Sequence, residues 1–330
     1  MHPSPRFPTR PSSISVTTWR ALRHYSSPPP SSPAAVSADP AGLQRKKVTV
    51  KTIQKLYKTR SPITMMTAHD YPSGVFCEKG GMEICLVGDS LAMVALGYDS
   101  TTRITLEEMM HHSRAVARGS KSAFLIGDLP FGTYEKSAEH AIDNAIRFIR
   151  EGHVEAVKLE GGVEMAGTIK RIVDVGIPVL GHVGLTPQRA SSLGGFRAQG
   201  TSLLKAKALL ADATALQEAG CFAMVLESVP SPVAEFITKR LSIPTIGIGA
   251  GPHCSGQVLV QMDMLGIYDK FTPKFCKLYE RLDPLIVNAM KEYGAEVKQG
   301  TFPDSKLHTY AMEKGEEEKF LNWVKEEYGE

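Results

Sequence analysis

The sequence predicts an α/β fold, a (β/α)8 barrel with an N-terminal leading helix, from three observations. Short apolar runs alternate with longer amphipathic stretches from Ile63 onward. The runs are apolar on both faces, as in parallel strands covered by helices. Eight such units spread over roughly 230 residues, the size of a closed barrel of right-handed strand–helix units. A doubly wound open sheet is the second architecture. It ranks lower because no glycine-rich dinucleotide loop follows the first strand, and Ile248-Gly-Ala-Gly251 follows a late one.

In chain order, residues 1–26 read as a mitochondrial presequence. They carry Arg6, Arg10, Arg20 and Arg23, many Ser and Pro, and no acid. Ser15 to Tyr25 could form a basic amphipathic helix with Val16, Trp19, Leu22 and Tyr25 on one face, and a Pro/Ser-rich disordered tail is the alternative. Residues 27–46 read as a disordered linker. Residues 47–60 form the leading helix, with Val48, Ile53, Leu56 and Tyr57 apolar. The barrel occupies 47–290. Its strands are expected at Ile63–Thr67, Ile84–Asp89, Phe124–Asp128, Ala156–Glu160, Pro178–His182, Ala223–Glu227, Thr245–Gly249 and Val258–Asp263. Ser137–Glu151, Leu203–Ala219 and Pro232–Arg240 have helical periodicity. Residues 291–330 are polar, end in acidic runs, and read as a surface helix and tail.

Composition narrows the function. A 42% hydrophobic content is ordinary for a globular chain, and no apolar run is long enough to span a membrane. The net charge of +3 is smaller than the four arginines of the leader, so the remainder is slightly acidic. Nucleic acid is therefore not an expected partner. The five cysteines show no CxxC spacing, which fits a reducing compartment and argues against a disulfide frame or a zinc site.

Four short apolar runs each close on an acid at their C-terminal tip: Asp89, Asp128, Glu160 and Glu227. In a parallel barrel all C-terminal strand tips lie on one face, so these acids converge. Clustered carboxylates repel unless a cation or shared proton holds them. Hard oxygen donors suit Mg²⁺. Side chains alternate along a strand, so Lys158 and Glu160 point the same way, with Lys158 just below the mouth. An alternative for each acid is capping of the following helix. His182, at the fifth tip, either orients substrate and passes a proton or is a histidine satisfied by neighbouring tips. His69-Asp70-Tyr71 is expected to line the mouth. Thr186-Pro-Gln188 and Gly194-Gly-Phe196 are expected to be mobile loops over it.

The strings Val87-Gly-Asp-Ser-Leu91, Asp128-Leu-Pro-Phe131, Val157-Lys-Leu-Glu-Gly-Gly162, Gly181-His-Val-Gly-Leu-Thr-Pro-Gln188, Leu226-Glu-Ser-Val-Pro230 and Ile246-Gly-Ile-Gly-Ala-Gly251 lie in one register. From about Val48 to Ala289 the chain closely resembles the ketopantoate hydroxymethyltransferase family of the phosphoenolpyruvate/pyruvate barrel superfamily. Ala92, where a family glycine is common, and Ser228 depart from the pattern without touching a proposed ligand. The resemblance implies Asp89, Asp128 and Glu160 on magnesium, directly or through water, and Asp89, Ser90, Asp128 and Lys158 on the 2-oxo acid. It implies Glu227 as catalytic base, and 5,10-methylenetetrahydrofolate as co-substrate for conversion of 3-methyl-2-oxobutanoate to 2-dehydropantoate in pantothenate synthesis. A homo-oligomer, usually a decamer, is implied as well. A C–C lyase or mutase of the same superfamily is the competing enzyme, although its Lys-Lys-Cys-Gly-His loop is not in the sequence. A catalytically dead barrel serving as scaffold is the non-enzyme alternative.

Overall fold

The computed structural model describes residues 45–329, so the expected presequence and all but the last two residues of the expected linker lie outside it. The described residues divide into two compact units, one ending at Val287 and the other starting at Asn288. In the first, eight parallel strands close into a barrel in sequence order. They are β1 Ile63–Thr67, β2 Ile84–Val87, β3 Phe124–Asp128, β4 Ala156–Glu160, β5 Val179–Gly184, β6 Ala223–Glu227, β7 Thr245–Ile248 and β8 Gly256–Leu259. Ile63 to Met66 pair with Gly256 to Leu259, and this β1–β8 register closes the ring.

Strand alternation sorts the core into two layers. Inside the ring sit Ile63, Met65, Ile84, Leu86, Phe124, Ile126, Leu180, Val225, Ile246 and Val258. Cys85, Val87, Leu125, Val157, Leu159, Val179, Met224 and Leu226 pack in the layer that includes the helices' buried faces. The helices are α1 Val50–Lys58, α2 Tyr71–Lys79, α3 Leu91–Val94, α4 Leu106–Gly119, α5 Ala138–Gly152, α6 Ala166–Asp174, α7 Ala190–Leu193, α8 Leu203–Glu218, α9 Ser231–Arg240, α10 Gln261–Met264, α11 Leu282–Gln299 and α12 Glu316–Tyr328. Local chemistry starts them where expected. Thr49 with Thr52, and Thr105 with Glu108, form reciprocal capping boxes at α1 and α4. Asp70 accepts from the Ser73 N–H at α2, so it caps a helix and is not part of the cavity lining expected of it.

The leading helix plugs the bottom of the barrel. Val48 and Ile53 are buried with the interior layer, and the Val48 N–H donates to the Ser122 carbonyl ahead of β3. Two expectations need correction. Residues 249–255 join β7 to β8 without a helix, so the seventh unit is incomplete; the two strands share only the pairs Ile246–Gly256 and Gly247–Gln257. Thr245 and Ser255 staple this short crossover, each backbone N–H donating to the other's hydroxyl. The eighth strand ends at Leu259, and Asp263, expected within it, belongs to α10.

In the second unit, Tyr293, Phe302 and His308 stack in series and Asp304 accepts from the Lys306 and Leu307 N–H groups. Within the stretch expected to hold a surface helix and tail, α12 has three glutamates in its first turn, where they oppose the helix dipole.

Candidate active site

The C-terminal rim of the barrel opens into a cavity of about 1200 Å³. Asp89, Ser90, Asp128, Lys158, Glu160, His182 and Glu227 all line it, so every sequence-derived site residue is brought together. Their routes there differ. Asp128, Lys158, Glu160 and Glu227 lie within strands, alternating with residues of the outer layer. Asp89 does not: β2 ends at Val87, and Asp89 sits in the turn beyond it. There its N–H donates to Asp128 Oδ2 at 3.0 Å, which ties the two acids together.

Lys158 Nζ donates to Asp128 Oδ1 at 2.6 Å, a pair buried from solvent on both sides. Burial opposes the ammonium charge, but Asp128, Asp89 and Glu160 outweigh it and hold Lys158 above its usual range. Asp89 shows the opposite imbalance. Burial and the charges of Asp128 and Glu160 lift it to about 8, against the relief supplied by Lys158 and Gln188.

His182 lies between two acids. Its Nδ1 is 3.4 Å from Glu160 Oε1 and its Nε2 is 3.2 Å from Glu227 Oε2. The contacts are charge pairings without hydrogen-bond alignment, and both ring nitrogens lack an aligned partner. Burial and the Lys158 charge disfavour imidazolium, yet Glu160 and Glu227 prevail and raise His182 to about 9. His182 therefore orders an acid–imidazole–acid row across the tips of β4, β5 and β6.

Gln188 was expected in a mobile loop and is instead a buried wedge. Its Nε2 donates to Asp89 Oδ2 at 2.8 Å and to the Leu129 carbonyl at 3.1 Å, while its backbone N–H donates to Glu160 Oε2 at 3.1 Å. Tyr134 Oη donates to its Oε1. No periodicity marks this role, because Gln188 reaches the acids from a single-turn helix ninety-nine residues beyond Asp89. Ser228, next to Glu227, takes a left-handed backbone (φ 50°) at the turn out of β6.

The donor set suits a hard divalent cation in its chemistry. Glu160 Oε1 is buried without a hydrogen-bond partner, and mutual repulsion raises Asp89. Yet Lys158, Gln188 and the Asp89 N–H already occupy much of the acids' capacity. Among the described residues no three His, Cys, Asp or Glu side chains are grouped closely enough to ligate one ion directly. The residues therefore fit Mg²⁺ held partly through water, as an ion that dehydrates reluctantly is commonly held.

A closed parallel barrel with its charged residues gathered at the C-terminal rim defines a (β/α)8 protein with its pocket where such barrels carry their active sites. The fold is shared by phosphonopyruvate hydrolase (TM-score 0.54, 13% identity, 86% of this chain and 100% of that one). It is also shared by phosphoenolpyruvate phosphomutase from Streptomyces platensis subsp. rosaceus (TM-score 0.53, 13% identity, 85% and 99%). Residues 47–305 match the ketopantoate hydroxymethyltransferase family, and the chain belongs to it. It is 51% identical over 308 residues to the 3-methyl-2-oxobutanoate hydroxymethyltransferase of Emericella nidulans, covering 93% of this chain and 86% of that one. It is 50% identical over 281 residues to 3-methyl-2-oxobutanoate hydroxymethyltransferase 1, mitochondrial, of Arabidopsis thaliana, covering 83% and 81%.

Proposed function

We propose that this chain transfers a one-carbon unit from 5,10-methylenetetrahydrofolate to 3-methyl-2-oxobutanoate, giving 2-dehydropantoate and tetrahydrofolate with consumption of water, on the route to pantothenate. The observation that carries the reading is the row Glu160–His182–Glu227 beside the Lys158–Asp128 pair in one cavity. Asp89, Asp128 and Glu160 would hold Mg²⁺, which when bound polarises the 2-oxo group and acidifies the neighbouring C3–H. Asp89, Ser90, Asp128 and Lys158 hold the oxo acid. Glu227 takes the C3 proton, and His182, braced by Glu160, keeps the Glu227 carboxylate aimed. The Lys158 ammonium stabilises the oxyanion that develops on the 2-oxo oxygen. The C3 carbanion forms a C–C bond to the folate methylene carbon as one of that carbon's two C–N bonds breaks. Hydroxide from water replaces the second folate nitrogen as the product's new hydroxyl, and the C3 proton and the water proton end on the two freed nitrogens of tetrahydrofolate.

On the same reading the protein belongs in the mitochondrial matrix after removal of residues 1–26; the Arabidopsis relative, named as mitochondrial, supports the organelle. Glu227→Gln tests the chemistry directly. Deuterium exchange at C3 of 3-methyl-2-oxobutanoate should fall at least about 100-fold, the lower range for a general base, while Mg²⁺ titration stays unchanged. Exchange at the wild-type rate would remove Glu227 from the base role. Folate-dependent turnover that survives EDTA would remove the metal.

A further inference from the structure

The cavity holds more than the proposed oxo acid requires. At about 1200 Å³ it exceeds the roughly 300–1,000 Å³ typical of sites for drug-sized ligands, and the charged row lines only part of it. Its β7–β8 lobe is the part lined by residues that follow those strands, among them Gly249, Asp263, Tyr268, Phe271 and Phe275. Asp263 is only 7% exposed, and among the described residues no side chain or N–H donates to it. A buried carboxylate without a donor is costly and calls for a ligand. Burial alone lifts it to about 6, so it is an acceptor at neutral pH. Phe275 is seated by a glycine. A Cβ on Gly249 would come within 2.7 Å of the ring, and Gly249 itself takes a left-handed backbone (φ 65°).

The lobe adjoins the proposed base. Glu227 pairs in register with Ile248, the residue before Gly249, and the Ser228 N–H donates to the Ile248 carbonyl. A ligand seated against these aromatic residues shares one cavity with Glu227.

We propose that this lobe seats the pterin of the folate co-substrate, with Asp263 Oδ2 accepting a hydrogen bond from the 2-amino group of its pyrimidinone ring. The assignment rests on the folate-dependent reading above. Asp263 Oδ1 is sealed from the cavity, so the second oxygen is the acceptor, and an exocyclic amine gives it a charge-assisted N–H···O bond. The neighbouring rings supply stacking faces for the bicycle.

The test separates this assignment from the reading beneath it. Calorimetric titration of the full-length protein with tetrahydrofolate should give a Kd about 10- to 100-fold weaker for Asp263→Asn, as for loss of a charge-assisted hydrogen-bonding partner. C3 deuterium exchange, which needs no folate, should stay within about twofold. The 2-desamino analogue should bind wild type weakly by a similar factor, yet bind Asp263→Asn no worse than tetrahydrofolate does. Equal tetrahydrofolate affinity in the two proteins, or equal discrimination against the analogue, overturns the assignment. Should Asp263→Asn lose exchange as well, Phe271→Ala takes its place. Phe271 is 63% exposed, and its loss should weaken tetrahydrofolate binding with exchange intact. Unchanged affinity there overturns the assignment too. A wild-type protein that binds no tetrahydrofolate overturns both this proposal and the function on which it rests.

Discussion

Gln188 does more for the charged rim than its residue type advertises. It gives Asp89 a neutral donor, fixes Glu160 through its own backbone, and is held in turn by Tyr134. Gln188→Leu would leave a buried carboxylate oxygen without that donor. Stability should fall by about 1–3 kcal/mol, read as a lower urea midpoint at unchanged slope. A midpoint equal to wild type would mean that water replaces the side chain without loss. At the opposite end of the barrel, Glu78 accepts from the N–H groups of Lys121 and Ser122. Burial pushes its pKa upward, but these hydrogen bonds prevail and hold it below the ordinary value. A carboxyl depressed in the folded state contributes stability above its unfolded pKa and loses it as pH falls through the folded one. The gap in urea midpoint between wild type and Glu78→Gln should therefore be full near pH 6 and close toward pH 3. A gap constant with pH would assign the effect to shape.

At the scale of elements, the incomplete β7–β8 unit shows how far periodicity carries. Parallel strands ordinarily need a long crossover, and here seven residues suffice because the two strands overlap over only two pairs. The leading helix shows the reverse case, in which the sequence pattern was sound. Ile53 was legible as an apolar position, and it is fully buried where α1 closes the bottom of the ring. Ile53→Ala should cost about 2–5 kcal/mol through lost burial and a residual cavity. The active-site rim lies at the other end, so kcat/KM per folded molecule should hold. A matching loss of kcat/KM at temperatures where the variant is folded would show that the plug also sets the rim.

For the whole molecule, closure of the ring is what makes one site from acids as far apart in sequence as Asp89 and Glu227. Any open sheet would leave β1 and β8 as separate edges, whereas here Ile63–Met66 pair with Gly256–Leu259. The family resemblance implies a decamer, an expectation for the assembled protein. Light scattering behind size-exclusion chromatography should give about ten chain masses, and a monomer mass across micromolar concentrations would refute it.

Much of the site was legible before any coordinates. Alternation along a strand follows from backbone geometry alone, so Lys158 and Glu160 had to share a face, and Asp128 and Glu227 could be placed at the rim from local pattern. Three arrangements were not fixed by that local pattern. Asp89 stands in a turn, where the two-residue period lapses, and its position depends on an N–H bond to Asp128 on the next strand. His182 could be put at a tip, but its place between two acids is set by the β4–β5 and β5–β6 registers. Gln188 and Asp263 lie on single-turn helices; Gln188 reaches the acids and Asp263 lines the cavity only through contacts between distant parts of the chain. Local periodicity thus determined the barrel and the facing of its strand residues. Which loop side chains complete the pocket was decided by tertiary packing, because turns reset direction and only long-range contacts fix where a loop side chain ends.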